Sequence, residues 1–225
     1  MSLPVLPFVP EAVIFDMDGL MLDSERAMLR SWTAAATEAG WDVEPAQWLR
    51  MVGHGDAVCL AILEERMSAA QARELMARCQ ALYETEMEAG LPLRPGVLEL
   101  LQWLVQRGIR CGVATSTHRP RAPRKLQTAG LADYFEAIAT GNDVARSKPA
   151  PDIYLLAAQR LGVAPALCLA LEDSPTGVRA ALAAGMHAVQ VPDLVAPDEE
   201  VRAWGHTIIA SLHDVREMLE RRLAA

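Results

Sequence analysis

The chain has 225 residues, 52% of them apolar, and carries a net charge of −8 at neutral pH. That length fits one large domain or two small ones with a substantial core. The acidic balance without a wide basic cluster excludes a nucleic-acid footprint, and no apolar run approaches the roughly 20 residues of a membrane span.

Residues 1–10 are Pro-rich and read as a loose lead-in without the basic start and apolar core of a secretion signal. Ala12-Val13-Ile14-Phe15 reads as a buried strand that stops at Asp16-Met17-Asp18-Gly19. From Ser24 to about Gly90 only helices are expected. Met28, Trp32, Ala35, Ala36 and Ala39 share the face of the first, and Gly40 stops it. A second spans residues 46–51 and breaks at Gly53-His54-Gly55. Asp56 caps a third, with Val58, Ile62 and Leu63 buried, and Ser68 a fourth, with Leu75, Met76, Cys79 and Leu82 buried. Pro95 opens a helix whose stripe is Val97, Leu98, Leu101, Leu104 and Val105, closed by Gly108. Beyond it, strands are expected at 111–114, 137–140, 167–171, 188–191 and 207–209, with helices at 124–129, 152–161, 176–184 and 214–223.

Strands alternating with helices predict an α/β fold, a doubly wound parallel sheet with right-handed crossovers. The helical segment is then an insertion. Residues 1–20 and 93–225 form the catalytic core and residues 21–92 a small all-helical cap domain, hinged near Leu22 and at residues 91–94. Cys59, Cys79, Cys111 and Cys168 lack paired or metal-like spacing and lie in apolar patterns, which points to reduced, buried thiols in a cytoplasmic protein. No feature fixes the oligomeric state, and a monomer is the default expectation.

Four strand ends of the α/β part carry polar residues: Asp16 and Asp18, then Thr115-Ser116-Thr117, then Lys148, then Glu172-Asp173-Ser174. Open α/β sheets bind their ligands at such ends. Two close carboxylates repel unless a cation or shared proton intervenes, and hard oxygen ligands suit Mg²⁺. The inventory fits phosphoryl transfer, in which catalysis is mostly positioning and electrostatic stabilisation. An aspartate can attack phosphorus to give an aspartyl-phosphate, and a second carboxyl can protonate the leaving oxygen and later deprotonate water. Each piece has a plainer reading when taken alone. Asp-x-Asp-Gly makes turns, Thr115 can cap a helix, Lys148 can be a solvated loop lysine, and Glu172-Asp173-Ser174 can be a helix N-terminus.

In this order the motifs resemble the haloacid dehalogenase-like hydrolase superfamily, in the branch with a helical cap after the first motif that includes β-phosphoglucomutase and small-molecule phosphatases. The resemblance runs from about Ala12 to Met218 and implies a Rossmann-like core. It implies Asp16 as nucleophile and Asp18 as acid/base, with Thr115, Ser116 and Lys148 on phosphate. It also implies Mg²⁺ held by Asp16, Asp173, the backbone carbonyl of Asp18, and Glu172 directly or through water. Asp23-Ser24-Glu25 fits the branch near the hinge. His54 and Glu25 in the cap, and His118 with Arg119 after the threonine motif, are candidate substrate contacts.

Asp18 separates the chemistries within that superfamily. Dehalogenases and phosphonate-cleaving members lack an acid there, and the latter use a cap lysine, which residues 21–91 do not contain. Asp56 stands where the mutase places a phosphate-binding arginine, and Met28 stands nearest to its hinge histidine. An acid at that place repels a second phosphate. The expected activity is therefore Mg²⁺-dependent hydrolysis of a small organic phosphate monoester, a sugar phosphate or nucleotide-like compound, over which the cap closes. A β-phosphoglucomutase-type mutase is the alternative. A phosphoacceptor signalling domain, which takes phosphate on aspartate without turnover, is the alternative of another class.

Overall fold

The computed structural model describes residues 3–52 and 55–224; His54, a candidate substrate contact, lies outside the described residues. In chain order the elements are β1 (Ala12–Phe15), α1 (Ser24–Glu38), α2 (Pro45–Leu49), α3 (Asp56–Glu64), α4 (Ala69–Ala89), α5 (Val97–Gln106) and β2 (Arg110–Ala114). They continue with α6 (Arg121–Thr128), β3 (Ala137–Ala139), α7 (Asp152–Leu161), β4 (Cys168–Glu172), α8 (Pro175–Ala183), β5 (His187–Gln190), α9 (Glu199–Arg202), β6 (Thr207–Ile208) and α10 (Leu212–Ala224). The chain divides into two compact units, one formed by the residues up to Leu22 and from Leu93 onward, the other by Asp23–Pro92.

The first unit is built on a six-stranded sheet in the order β3-β2-β1-β4-β5-β6, parallel throughout. This is the expected doubly wound α/β fold. Ala12, Val13, Ile14 and Phe15 are all fully buried because β1 lies between β2 and β4. A strand buried on both faces needs the unbroken apolar run seen in the sequence. From β1 the chain winds outward to β3, then returns to the other side of β1 as β4. The switch point falls between the carboxyl ends of β1 and β4, where such sheets open a crevice.

Strand and helix positions follow the sequence reading closely, with differences in detail, among them the unexpected short helix α9. The buried stripe of α5 is Val97, Leu100, Leu101, Trp103 and Leu104, whereas Leu98 and Val105 are exposed. Spacings of three and four select one face, and Leu98 and Val105 fall on its flank. Leu167 belongs to a 3₁₀ turn ahead of β4 and is exposed. Helix α6 starts at Arg121, three residues before its expected start, because Pro123 falls in its first turn, where a missing N–H costs no helical hydrogen bond.

In the second unit α1 packs against α4. The ion pairs Arg30–Glu86 (2.6 Å) and Arg78–Glu38 (2.5 Å) show that the two helices run antiparallel. Trp32 and Trp48 stack at 5.6 Å over a core containing Leu63, Leu75 and Cys79. Ser68 caps α4 through a reciprocal pair with Gln71. Val58, expected inside, is exposed, and so is Ala39, the residue after α1; the buried face of α3 is Cys59, Ile62 and Leu63. Met28, half-buried, sits 3.6 Å from the Cys79 sulfur. All four cysteines are free and buried. No described helix is long and apolar enough to cross a membrane.

Candidate active site

Every strand-end group picked out in the sequence belongs to the sheet-based unit. The backbone N–H of Asp16 donates to the Leu171 carbonyl at 2.9 Å, extending the β1–β4 ladder by one residue. That bond fixes Asp16 at the switch point, where it is 6% exposed. Met17 is fully buried, so Asp16 and Asp18, two residues apart in an extended chain, share the opposite side. Gly19 then turns the chain at φ +81°, and a Cβ there would lie 2.2 Å from Asp173 Oδ2. The Asp173 carboxylate thus packs on a bare Cα. Gly19→Ala combines backbone strain with displacement of Asp173. We expect this variant to need a several-fold higher Mg²⁺ concentration for half-maximal activity, read from a Mg²⁺ titration.

Lys148 is the centre of charge. Its Nζ donates to Asp16 Oδ1 at 2.5 Å, to Glu172 Oε1 at 2.6 Å and to the Ala114 carbonyl at 2.9 Å, so all three of its protons are engaged. Lys148 is not the solvated loop lysine of the plainer reading. Burial pulls its pKa down, but Asp16 and Glu172 outweigh this and raise it. Burial pushes the Asp16 carboxyl up to about 7, with Lys148 pulling it down and Glu172 and Asp18 adding to the rise.

Glu172 is fully buried and its oxygens are occupied. Oε1 accepts from Lys148 and from the Tyr154 hydroxyl at 2.7 Å; Oε2 accepts from the Ser174 hydroxyl at 3.0 Å and the Ser174 N–H at 3.3 Å. A Cβ on Gly177 would lie 1.8 Å from Glu172 Oε1, so a second glycine makes room for this carboxylate. Ser174 also caps α8, its hydroxyl accepting from the Gly177 N–H at 3.1 Å. The segment is therefore a helix N-terminus and a strand-end acid pair at once. Gln190 holds the other acid of that pair, donating to the Asp173 carbonyl at 3.0 Å.

Thr115, at the end of β2, is 1% exposed and continues the β2–β3 ladder through its N–H to the Ala139 carbonyl. Its hydroxyl accepts from the Thr117 N–H at 3.1 Å, which shapes the loop so that Thr117 Oγ1 donates to Asp18 Oδ2 at 2.7 Å. Ser116 and His118 are exposed on that loop, against Gly141. Arg119 ties to Asp143, which also takes Arg160; the two guanidiniums and the Thr140 backbone overcome burial and hold that carboxyl well below the usual range. Arg119 therefore braces the loop after β3. Glu25, half-buried in the first turn of α1, belongs to the helical unit.

Three groups escaped the sequence reading, and Thr117, picked out within Thr115-Ser116-Thr117, has no role of its own there. Gln190 carried no signal. Lys125 Nζ donates to Asp18 Oδ1 at 2.7 Å and is 7% exposed. Its signal was present: Ala122, Lys125 and Leu126 lie at helical spacing on one face, so a lysine occupies a core position. Tyr154 likewise lies on the buried face of α7, and a buried phenol calls for a hydrogen-bond partner.

Oxygens of Asp16, Glu172 and Asp173 lie within 4.8 Å of one another. Asp16, Asp18, Glu172 and Asp173 face Lys125 and Lys148, an excess of two negative charges among these six groups. Hard oxygen donors and a deficit of positive charge fit a divalent cation such as Mg²⁺. With both Glu172 oxygens taken, Asp16 and Asp173 are the better direct donors.

A sequence model of haloacid dehalogenase-like hydrolases matches residues 10–185. The chain belongs to that family. Among the haloacid dehalogenase-like hydrolases it is 36% identical to hexitol phosphatase A of Escherichia coli (strain K12), covering 79% of this chain and 81% of that protein. It is 31% identical to the β-phosphoglucomutase of Bacillus subtilis (strain 168), over 94% and 98% of the two chains. A haloacid dehalogenase family hydrolase of Deinococcus radiodurans R1, solved with bound phosphate and sodium, superposes with a TM-score of 0.80 at 27% identity, over 96% of this chain and 97% of that one.

Proposed function

We propose that this hydrolase cleaves small organic phosphate monoesters through an aspartyl-phosphate on Asp16, with sugar phosphates as the foremost class and nucleotide-like compounds as the second. One observation carries the reading: the two acids of Asp16-Met17-Asp18-Gly19 sit in separate electrostatic settings. Asp16 is held by Lys148 beside Asp173, whereas Asp18 is held by Thr117 and Lys125. Two carboxylates two residues apart thereby acquire different partners, which suits them to different roles.

Asp16 attacks phosphorus, forming a P–O bond to its carboxylate as the ester P–O bond breaks. Asp18 gives its proton to the departing oxygen. It then takes a proton from the water that attacks the aspartyl-phosphate, which releases inorganic phosphate and restores both acids. Lys148 holds Asp16 in line and offsets charge, and Glu172, held by Tyr154 and Ser174, positions Lys148. Thr115 and Ser116 offer donors to the phosphoryl oxygens. Asp16, Asp173 and the Asp18 carbonyl would hold Mg²⁺, which supplies positive charge against the phosphoryl oxygens. The relative named hexitol phosphatase A supports the sugar-phosphate class.

The relative named β-phosphoglucomutase supports the second reading, a phosphosugar mutase. Against it stand Asp56, an exposed acid in the first turn of α3, and Met28, which packs on Cys79. Incubation with sorbitol 6-phosphate and with β-glucose 1-phosphate, with Mg²⁺ or EDTA, separates the readings. We expect many turnovers of inorganic phosphate per enzyme with Mg²⁺ and none in EDTA. Glucose 6-phosphate appearing from β-glucose 1-phosphate faster than inorganic phosphate would establish the mutase. A single phosphate per chain would establish a phosphoacceptor domain.

A further inference from the structure

The reading of Asp18 as acid and base leaves open which of its oxygens carries the moving proton, and a buried lysine outside the sequence motifs decides it. Lys125 occupies the core-facing side of α6 with its side chain 6% exposed, and its ammonium reaches across 107 residues of sequence to Asp18 Oδ1 at 2.7 Å. A leucine or methionine would fill that face without desolvating a charge, and a buried ion pair is weak evidence of a stabilising role. The second clamp on Asp18 comes from the same connection: Thr117 Oγ1 on Oδ2 at 2.7 Å, with Thr117 itself steered by Thr115.

We propose that Lys125 is a positioning residue for proton transfer: it fixes Oδ1 of Asp18 and thereby confines the transferable proton to Oδ2. An ammonium has donors only, so an Oδ1 that accepts from Lys125 is a poor place for a proton. A hydroxyl donates or accepts, so Thr117 donates to Oδ2 while Asp18 is ionised and can turn to accept from the Oδ2 proton until the ester oxygen takes over that hydrogen bond. The carboxyl plane is thereby held from two sides in both protonation states. The proton leaves Oδ2 for the ester oxygen as the P–O bond breaks, and Oδ2 recovers it from water in the second step. Lys125 keeps its own protons throughout. Lys148 serves Asp16 and Glu172, so the two lysines divide the site between nucleophile and acid.

The inference rests on the proposed role of Asp18, and leaving-group dependence tests the two separately. The value of kcat/KM ends at the first irreversible step, so it reports departure of the leaving group. Phenyl phosphate needs its leaving oxygen protonated more than p-nitrophenyl phosphate, whose phenolate is stable as the anion. For Lys125→Met we expect kcat/KM on phenyl phosphate to fall about 10- to 100-fold, the scale of a misplaced catalytic group, with a markedly smaller fall on p-nitrophenyl phosphate. Lys125→Arg, also donor-only, should restore most of the phenyl phosphate activity. Thr117→Val should split the substrates in the same sense and carries the test if Lys125→Met fails to fold by circular dichroism. Asp18→Asn is the reference. If it splits the substrates while Lys125→Met and Thr117→Val lower both equally, Lys125 and Thr117 are structural and the inference is overturned. If Asp18→Asn itself lowers both equally, the role of Asp18 is wrong and the inference falls with it.

Discussion

Asp16→Asn should abolish turnover, by a factor of order 10⁴ or more, while leaving the fold intact and, without Mg²⁺, raising its melting temperature. A carboxamide cannot form an acyl phosphate, so loss of activity follows from the proposed chemistry alone. The stability effect is the more discriminating half. Lys148 bridges Asp16 and Glu172, so one ammonium serves two buried carboxylates. Burial raises the Asp16 carboxyl from 3.8 to about 7, so ionising it weighs against the folded state. The sign follows from linkage. A folded pKa above the unfolded one means that the folded state binds more protons between the two values. The stability this confers is complete below 3.8 and is lost as pH rises through about 7. In EDTA the melting temperature of Asp16→Asn relative to wild type should therefore rise from pH 4 to pH 8, by an amount worth on the order of a few kcal/mol. A variant less stable than wild type at pH 8 in EDTA would show that the Asp16–Lys148 pair is net stabilising and sink the charge-excess argument. Near wild-type hydrolysis of p-nitrophenyl phosphate would sink the nucleophile.

The sequence revealed the fold through β1. Four consecutive apolar residues that stop at two acids read as a strand buried on both faces and ending at a site, and β1 is such a strand. Helix positions were readable where spacing and caps agreed, as at Ser68 and over Asp152–Leu161. The exposed faces of α3 and α5 were misread because Val58, Leu98 and Val105 are apolar residues on helix flanks, and hydrophobicity alone does not fix a helix's rotation to within one residue. The short α9 and β6 are set by tertiary packing more than by pattern. At the site, the acids and Lys148 stood out because each ends or follows a strand. Their partners did not, since Tyr154, Gln190 and Lys125 lie inside helices and strands whose residues read as packing. Glu172 shows the limit most clearly. Its position beside Asp173 suggests a place at the metal site, and one of its oxygens does lie within 4.8 Å of those of Asp16 and Asp173. The four hydrogen bonds arriving from Lys148, Tyr154 and Ser174 add a role as anchor for the lysine that the sequence does not show.

That anchor leads to the second large effect. Lys148→Met should destabilise the sheet-based unit by about 3–5 kcal/mol, because it leaves two buried carboxylates without their shared counter-charge. For a chain of this size that corresponds to a fall of roughly 10 °C in melting temperature. Activity should drop about 10²- to 10³-fold, as when a preorganised donor is removed from the reacting charge. A lysine acting only on bound phosphate would lose activity with little change in stability, so the melt distinguishes the two roles. Glu172→Gln in the Lys148→Met background supplies the decisive comparison. It removes the buried charge that lost its partner, and the Tyr154 hydroxyl can turn to accept from the new amide. The double variant should regain part of the lost stability and none of the lost activity, because Asp16 still lacks its lysine. Stability effects that simply add, measured as a double-mutant cycle, would mean that Lys148 and Glu172 act independently, contrary to the 2.6 Å contact between them.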